Sequence, residues 1–157
     1  MPFSVKSIIY HKGKYMLQKR NNKKGIFYPG LYGLFGGRSD NSETPKKCIM
    51  RELKEELNLE FKFVKDILTL KIHSDDFEPK KSSVFKIYYF DCKLPINYKK
   101  KIMLSEGQKY DFYNIKKIDS LQMIPFDYAV LYYHFLYKVK KKKIIPKEYL
   151  KFNLAKG

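Results

Sequence analysis

The strongest constraint in this sequence is a short run of negative charge on a segment that also has to be buried. Residues 45–57 read as a helix: Thr44 can cap free backbone amides, and Pro45 sits where its missing amide costs nothing. Asn58 follows as a residue tolerant of the left-handed conformation that ends helices. Ile49, Leu53 and Leu57 recur every four residues and make one apolar stripe, with Met50 beside it. Glu52 lies three residues before Glu55 and four before Glu56, so the three carboxylates are expected on nearly one side of the helix, opposite that stripe.

Carboxylates about 4 to 6 Å apart repel one another, and a hard divalent cation relieves that repulsion. Magnesium prefers oxygen ligands and is commonly shared between one or two carboxylates and substrate phosphates, so this spacing predicts a metal-dependent phosphate site. Arg51, four residues before Glu55, can orient one carboxylate through its planar fork. A solvated charged face is the ordinary fate of six such residues taken alone. The longer pattern Gly37-x5-Glu43-x7-Arg51-Glu52-Leu53-Lys54-Glu55-Glu56-Leu57-Asn58-Leu59 decides against it. With each fixed residue type at roughly 5 to 7% frequency, six such positions coincide about once in ten million windows.

That pattern resembles the Nudix box: Gly, five residues, Glu, seven residues, Arg-Glu-aliphatic-any-Glu-Glu, then any residue, Gly and an aliphatic. One specified position departs, Asn58 for the final Gly, a change expected to affect helix termination rather than chemistry. Residues 31–37 are similar to the strand entering the Nudix helix, and residues 15–20 to an early strand ending in Arg. The resemblance spans most of residues 4–137. It implies that Glu55 and Glu56 bind metal, Mg2+ or Mn2+, that Glu52 binds metal or serves as base, and that the Gly36 carbonyl joins the coordination shell. It also implies that Arg51 and Glu43 orient the others. Ser105-Glu106-Gly107-Gln108 resembles a loop of MutT-like members of the family whose glutamate reaches the metal, which makes Glu106 a candidate ligand or base. Residues 124–127 match a segment that reads a purine edge in MutT-like proteins. Asp127 is therefore a base-recognition candidate as well as a helix cap, with Tyr32 a second base contact. Arg20 and the Gly37 loop are assigned to substrate phosphates.

The remaining sequence places the box in an α/β fold. Residues 4–10 and 15–20 read as a hairpin across His-Lys-Gly-Lys, and 61–73, 84–93 and 108–113 as further strands. A second helix is expected over 127–137, apolar almost all round and so packed on the sheet or in a dimer contact. The resemblance implies a Nudix-type α/β/α sandwich with a mixed sheet, residues 1–137, followed by a basic tail, 138–157, with Lys140 to Lys143 in series. The formal charge of +17 favours anionic partners or reflects a lysine-rich coat, and the tail offers a nucleic-acid contact. Cys48 and Cys92 have no metal-like spacing and read as reduced packing residues. No membrane span or export signal is read, so a cytoplasmic monomer or homodimer is expected. The implied function is pyrophosphohydrolysis of a nucleoside diphosphate derivative, first a (d)NTP, including an oxidised purine such as 8-oxo-dGTP. NDP-sugars, ADP-ribose-like dinucleotides and RNA 5′ ends are alternative substrates. The non-enzymatic alternative is a nucleotide- or RNA-binding module.

Overall fold

The computed structural model describes residues 3–22, 28–40, 42–73, 84–105 and 109–141. Seven strands are β1 Phe3–Ile8, β2 Tyr10–His11, β3 Lys14–Lys19, β4 Tyr32–Gly33, β5 Phe63–His73, β6 Val84–Lys93 and β7 Lys109–Tyr113. The helices are α1 Pro45–Leu57, two single turns α2 Tyr98–Lys101 and α3 Ile115–Ile118, and α4 Pro125–His134, which continues as a π-helical turn, Phe135–Val139. They form two sheets. In the mixed one, β6 is central, parallel to β1 and antiparallel to β5; in the other, β3 pairs antiparallel with β2 and β4 on one edge and β7 on the opposite edge.

The expected hairpin of 4–10 with 15–20 is therefore a correction. The hairpin is confined to Ile9, whose carbonyl accepts from the Met16 amide at 2.9 Å, and to Tyr10 and His11, which pair with β3 through a turn at Lys12 and Gly13 with φ of 48° and 79°. Residues 3–8 instead enter the other sheet, in register from Phe3 opposite Lys86 to Ile8 opposite Asp91. A tight turn dictates only its nearest pairs, whereas the partner of β1 is set by burial. Strand parity explains why both sheets are covered on both faces. Along β6, Ile87 and Tyr89 point into one core and Phe90 and Cys92 into the other; along β3, Tyr15 and Leu17 take the first and Met16 the second. Helix α1 closes the second core with Cys48, Ile49, Leu53 and Leu57, and α4 closes the first with Val130 and Leu131. The arrangement is an α/β/α sandwich.

Helix α1 starts and stops at the residues its sequence indicates. Thr44 Oγ1 accepts from the Lys47 amide at 3.3 Å, and Asn58, at φ 55° and ψ 29°, donates its backbone N–H to the Lys54 carbonyl. The buried face differs from expectation: Met50 is exposed and Cys48 takes its place. The covered arc leans towards 48, 52 and 56 because the loop at Gly36 and Gly37 packs over that side. Strand β5 begins at Phe63 rather than 61, although Phe61 is buried. Helix α4 starts two residues earlier than expected, at Pro125, and its π-helical turn carries Lys138 and Val139, past the expected domain end at 137. Residues 142–157, most of the basic tail, lie outside the described residues.

Helix α4 is pinned to β3 by a buried pair: the Tyr15 hydroxyl and His134 Nδ1 are 2.8 Å apart. Burial, helped by the Lys138 charge, lowers the imidazole from 6.5 to about 4. Between those values the unfolded chain binds more protons at this site than the fold. The contribution to stability is therefore complete above pH 6.5 and lost as pH falls towards 4, by at most about 3 kcal/mol. Glu56, raised from 4.5 to about 7, gives a slope of opposite sign over its own window. The test is thus the difference between wild type and His134→Gln in urea denaturation at pH 4.5 and pH 7: the wild type's advantage should grow with pH, and a constant difference would refute it.

Candidate functional site

The chain crosses from one sheet to the other at Leu34 to Gly36. Before the crossing, Tyr32 and Gly33 pair with β3. After it, the Phe35 and Gly37 carbonyls accept from Ser7 and Val5 on β1, each at 2.9 Å, and Ser39 donates to the Phe3 carbonyl. The crossing opens a gap between β1 and β3, and α1 faces it. Gly36 has φ 138°, and a Cβ there would lie 2.1 Å from the Val5 carbonyl oxygen, so a side chain is excluded by both torsion and space. At Gly37 a Cβ would instead lie 2.3 Å from the Glu52 carboxylate.

Arg51 is the hub of the acidic cluster. Its Nε and Nη2 meet the two oxygens of Glu43 at 3.2 and 2.6 Å, Nη1 meets Glu52 at 2.9 Å and Glu55 at 3.1 Å, and Nη2 also donates to the Arg38 carbonyl at 3.1 Å. The Arg51 fork, with the Asp40 amide, lowers Glu43 to about 2. Glu52 is mostly covered, its side chain 14% exposed, and burial raises its pKa; Glu55 is 58% exposed. The expected outward fan of three carboxylates opposite the apolar stripe is corrected by Glu56. Glu56 turns into the gap and accepts from the Gly36 amide at 2.9 Å. Burial raises it to about 7 against the opposing effects of the Gly36 N–H, the Lys6 ammonium and the Gln18 amide, while the Glu52 charge pushes it further up.

The donor set fits a hard divalent cation in kind: carboxylate oxygens on successive turns, one held at a cost in burial that a cation would offset. Among the described residues no three such groups converge on one point, because Arg51 holds Glu52 and Glu55. Metal binding therefore requires those two side chains to turn from Arg51 towards the gap. Two buried side-chain atoms lack partners among the described residues, Gln18 Oε1 and Arg20 Nε. Gln18 projects from the side of β3 where Met16 faces the α1 core, and Arg20 is the first residue past the end of that strand. An orphan acceptor and an orphan donor beside the carboxylates indicate polar occupants.

Glu106 lies outside the described residues, but the loop leading to it is tied to α1: Ser105 donates to the Glu56 carbonyl at 3.3 Å and Met103 to that of Leu57 at 3.1 Å. Asp127 does not cap α4, whose cap position is Ile124 with no side-chain bond. Asp127 is instead 1% exposed, on the third helical residue, accepting from the Leu34 amide at 2.9 Å and the Tyr89 hydroxyl at 3.1 Å. Tyr32 packs edge-on against Tyr113, with Lys19 over its ring. Cys48, pushed up to about 12 by burial and the neighbouring Glu43, is a protonated packing thiol. Lys6 and Gln18 are the residues that sequence reasoning passed over. The available signal was a long polar side chain placed among apolar neighbours, Lys6 after Val5 and Gln18 after Leu17.

A sequence profile described as the NUDIX domain matches residues 3–135. Two proteins named nucleoside triphosphatase NudI are similar. The one from Enterobacter sp. (strain 638) is 34% identical over 93 residues, 54% of this chain and 63% of that protein. The one from Escherichia fergusonii is 30% identical over 122 residues, 73% of this chain and 82% of that protein. The chain thus aligns with less than two thirds of the first relative. Among solved structures, a MutT protein from Methanosarcina mazei Go1 superposes with a TM-score of 0.66 at 22% identity, over 89% of this chain and 95% of the other.

The two glycines predict opposite outcomes. Gly36→Ala forces backbone apart and should lower stability by about 3 kcal/mol or more. Gly37→Ala, which has to displace only the end of the Glu52 side chain, should keep a melting temperature within a few degrees of wild type. Thermal unfolding of both variants distinguishes them, and equal losses would contradict the geometry.

Proposed function

The chain belongs to the NUDIX family, and from that premise we propose that it is a divalent-metal-dependent pyrophosphohydrolase that cleaves a nucleoside triphosphate to the monophosphate and pyrophosphate. The observation that carries this reading is Glu56, a half-buried acid near Glu52 that accepts from the Gly36 amide at the gap between the sheets. A binding-only module has no use for such a group, whereas a phosphate-directed metal site has. The similarity to two NudI proteins, named as nucleoside triphosphatases, favours a triphosphate over an NDP-sugar or a dinucleotide.

In this reading Glu52, Glu55 and Glu56, with the Gly36 carbonyl, hold Mg2+ or Mn2+. When bound, the metal neutralises charge building on the diphosphate and makes water a better nucleophile. Glu52 or Glu106 takes the proton of the attacking water, and no covalent protein intermediate is required. Arg51 keeps the carboxylates apart and oriented, with Glu43 as its anchor. Arg20, whose Nε is buried without a partner among the described residues, meets substrate phosphate together with the Gly37 loop. Tyr32 borders the base. Asp127, with both oxygens already engaged, acts on the substrate through the Leu34 peptide it holds. A purine triphosphate, oxidised or not, is the first substrate to try, and RNA 5′ ends are the alternative suited to the basic tail.

The test is pyrophosphate release from a panel of dNTPs, 8-oxo-dGTP, ADP-ribose and NDP-sugars, with Mg2+ and with chelator. Glu55→Gln, at an exposed position, should fold normally and lower kcat by about a hundredfold or more. Undiminished turnover in chelator, or an unimpaired Glu55→Gln enzyme, would sink the reading.

A further inference from the structure

One half-buried cation stands in the gap between the sheets. Lys6 lies on β1 opposite Tyr89 of β6, and its ammonium donates to the Leu34 carbonyl at 3.2 Å. Among the described residues it has no carboxylate within ion-pair distance. Its charge is nonetheless close enough to Glu56 to oppose the burial that raises that acid. Its hydrogen bond is also redundant: the Gln18 amide donates to the same Leu34 oxygen, again at 3.2 Å. The ammonium can therefore leave without orphaning the carbonyl, and it carries three donors of which the Leu34 bond uses one.

We propose that Lys6 is a substrate-binding residue that exchanges the Leu34 carbonyl for a phosphoryl oxygen of the bound nucleotide. The inference rests on the nucleotide-hydrolase reading above. A phosphate, rather than the base, is the partner because the ammonium lies at the Glu56 end of the gap, where a metal held by Glu56 brings the diphosphate. A mobile ammonium suits that exchange: it is a compact charge on a flexible stem, able to follow oxygens that shift as pyrophosphate departs.

The variants are Lys6→Gln, which keeps a donor for Leu34 but removes the charge, and Lys6→Arg. Calorimetry would titrate Mn2+ alone, and then a non-hydrolysable α,β-imido nucleoside triphosphate in saturating Mn2+; steady-state kinetics would follow on the best triphosphate. Lys6→Gln should weaken analogue binding roughly ten- to a hundredfold. It should leave Mn2+ affinity equal or higher, because a charge that repels the ion beside Glu56 is gone, and Lys6→Arg should recover part of the loss. Unchanged analogue affinity would overturn the proposal. So would parallel weakening of Mn2+ and analogue binding with a lowered melting temperature, which marks a merely structural lysine. A wild-type protein that binds the analogue but cleaves no triphosphate would reject the hydrolase reading while leaving the Lys6 comparison decisive.

Discussion

The rest of the architecture depends on a near-contact between two backbones: Gly36 passes so close to the Val5 carbonyl that no side chain fits between them. That approach lets one continuous segment pair in both sheets, with β3 at Tyr32 and Gly33 and with β1 from Phe35 to Ser39. The gap between the sheets is a consequence of the change of allegiance. The amide freed at the crossing is the one that holds Glu56, so the geometry that splits the sheet also aims the helix at the opening.

Arg51 imposes a second constraint. Four acids surround it, Asp40, Glu43, Glu52 and Glu55, with Asp40 the most distant at 3.6 Å. Without that cation the first three turns of α1 and the loop before it would carry uncompensated repulsion. With it, Glu43 becomes a fixed anchor while Glu55, more than half exposed, keeps the freedom to turn. The cluster combines a rigid end at Glu43 with an adjustable end at Glu55.

Local chemistry was legible in the sequence and long-range pairing was not. Thr44, Pro45 and Asn58 announce α1 because capping and termination depend on neighbours in the chain, and β6 spans 84–93 as its aromatic and β-branched run indicates. The placing of β1 beside β6 was hidden, since nothing in Ser4 to Ile8 specifies a parallel partner some eighty positions away. Asp127 shows the same limit: its position before an apolar run suggests a cap, but its partners come from β6 and the sheet crossing, 38 and 93 residues distant. Met50 failed for a subtler reason. Hydrophobicity gave the helix's apolar side, but the loop over Glu52 and Glu56 rotated the covered arc away from it.

Leu34 is held on both sides of its Cα. Asp127, seated in the first turn of α4, takes its N–H; Lys6 and Gln18, on strands of different sheets, take its carbonyl. Those two groups belong to successive peptide planes that meet at the Leu34 Cα, so bonds on both sides restrain the φ and ψ torsions between them. The far helix, which contributes no carboxylate to the cluster, is thereby tied through Leu34 to Lys6 and Gln18. Its seating is fixed in turn by the Tyr15 hydroxyl against His134. Sequence drift on α4 can retune the site without touching any of the acids that define it.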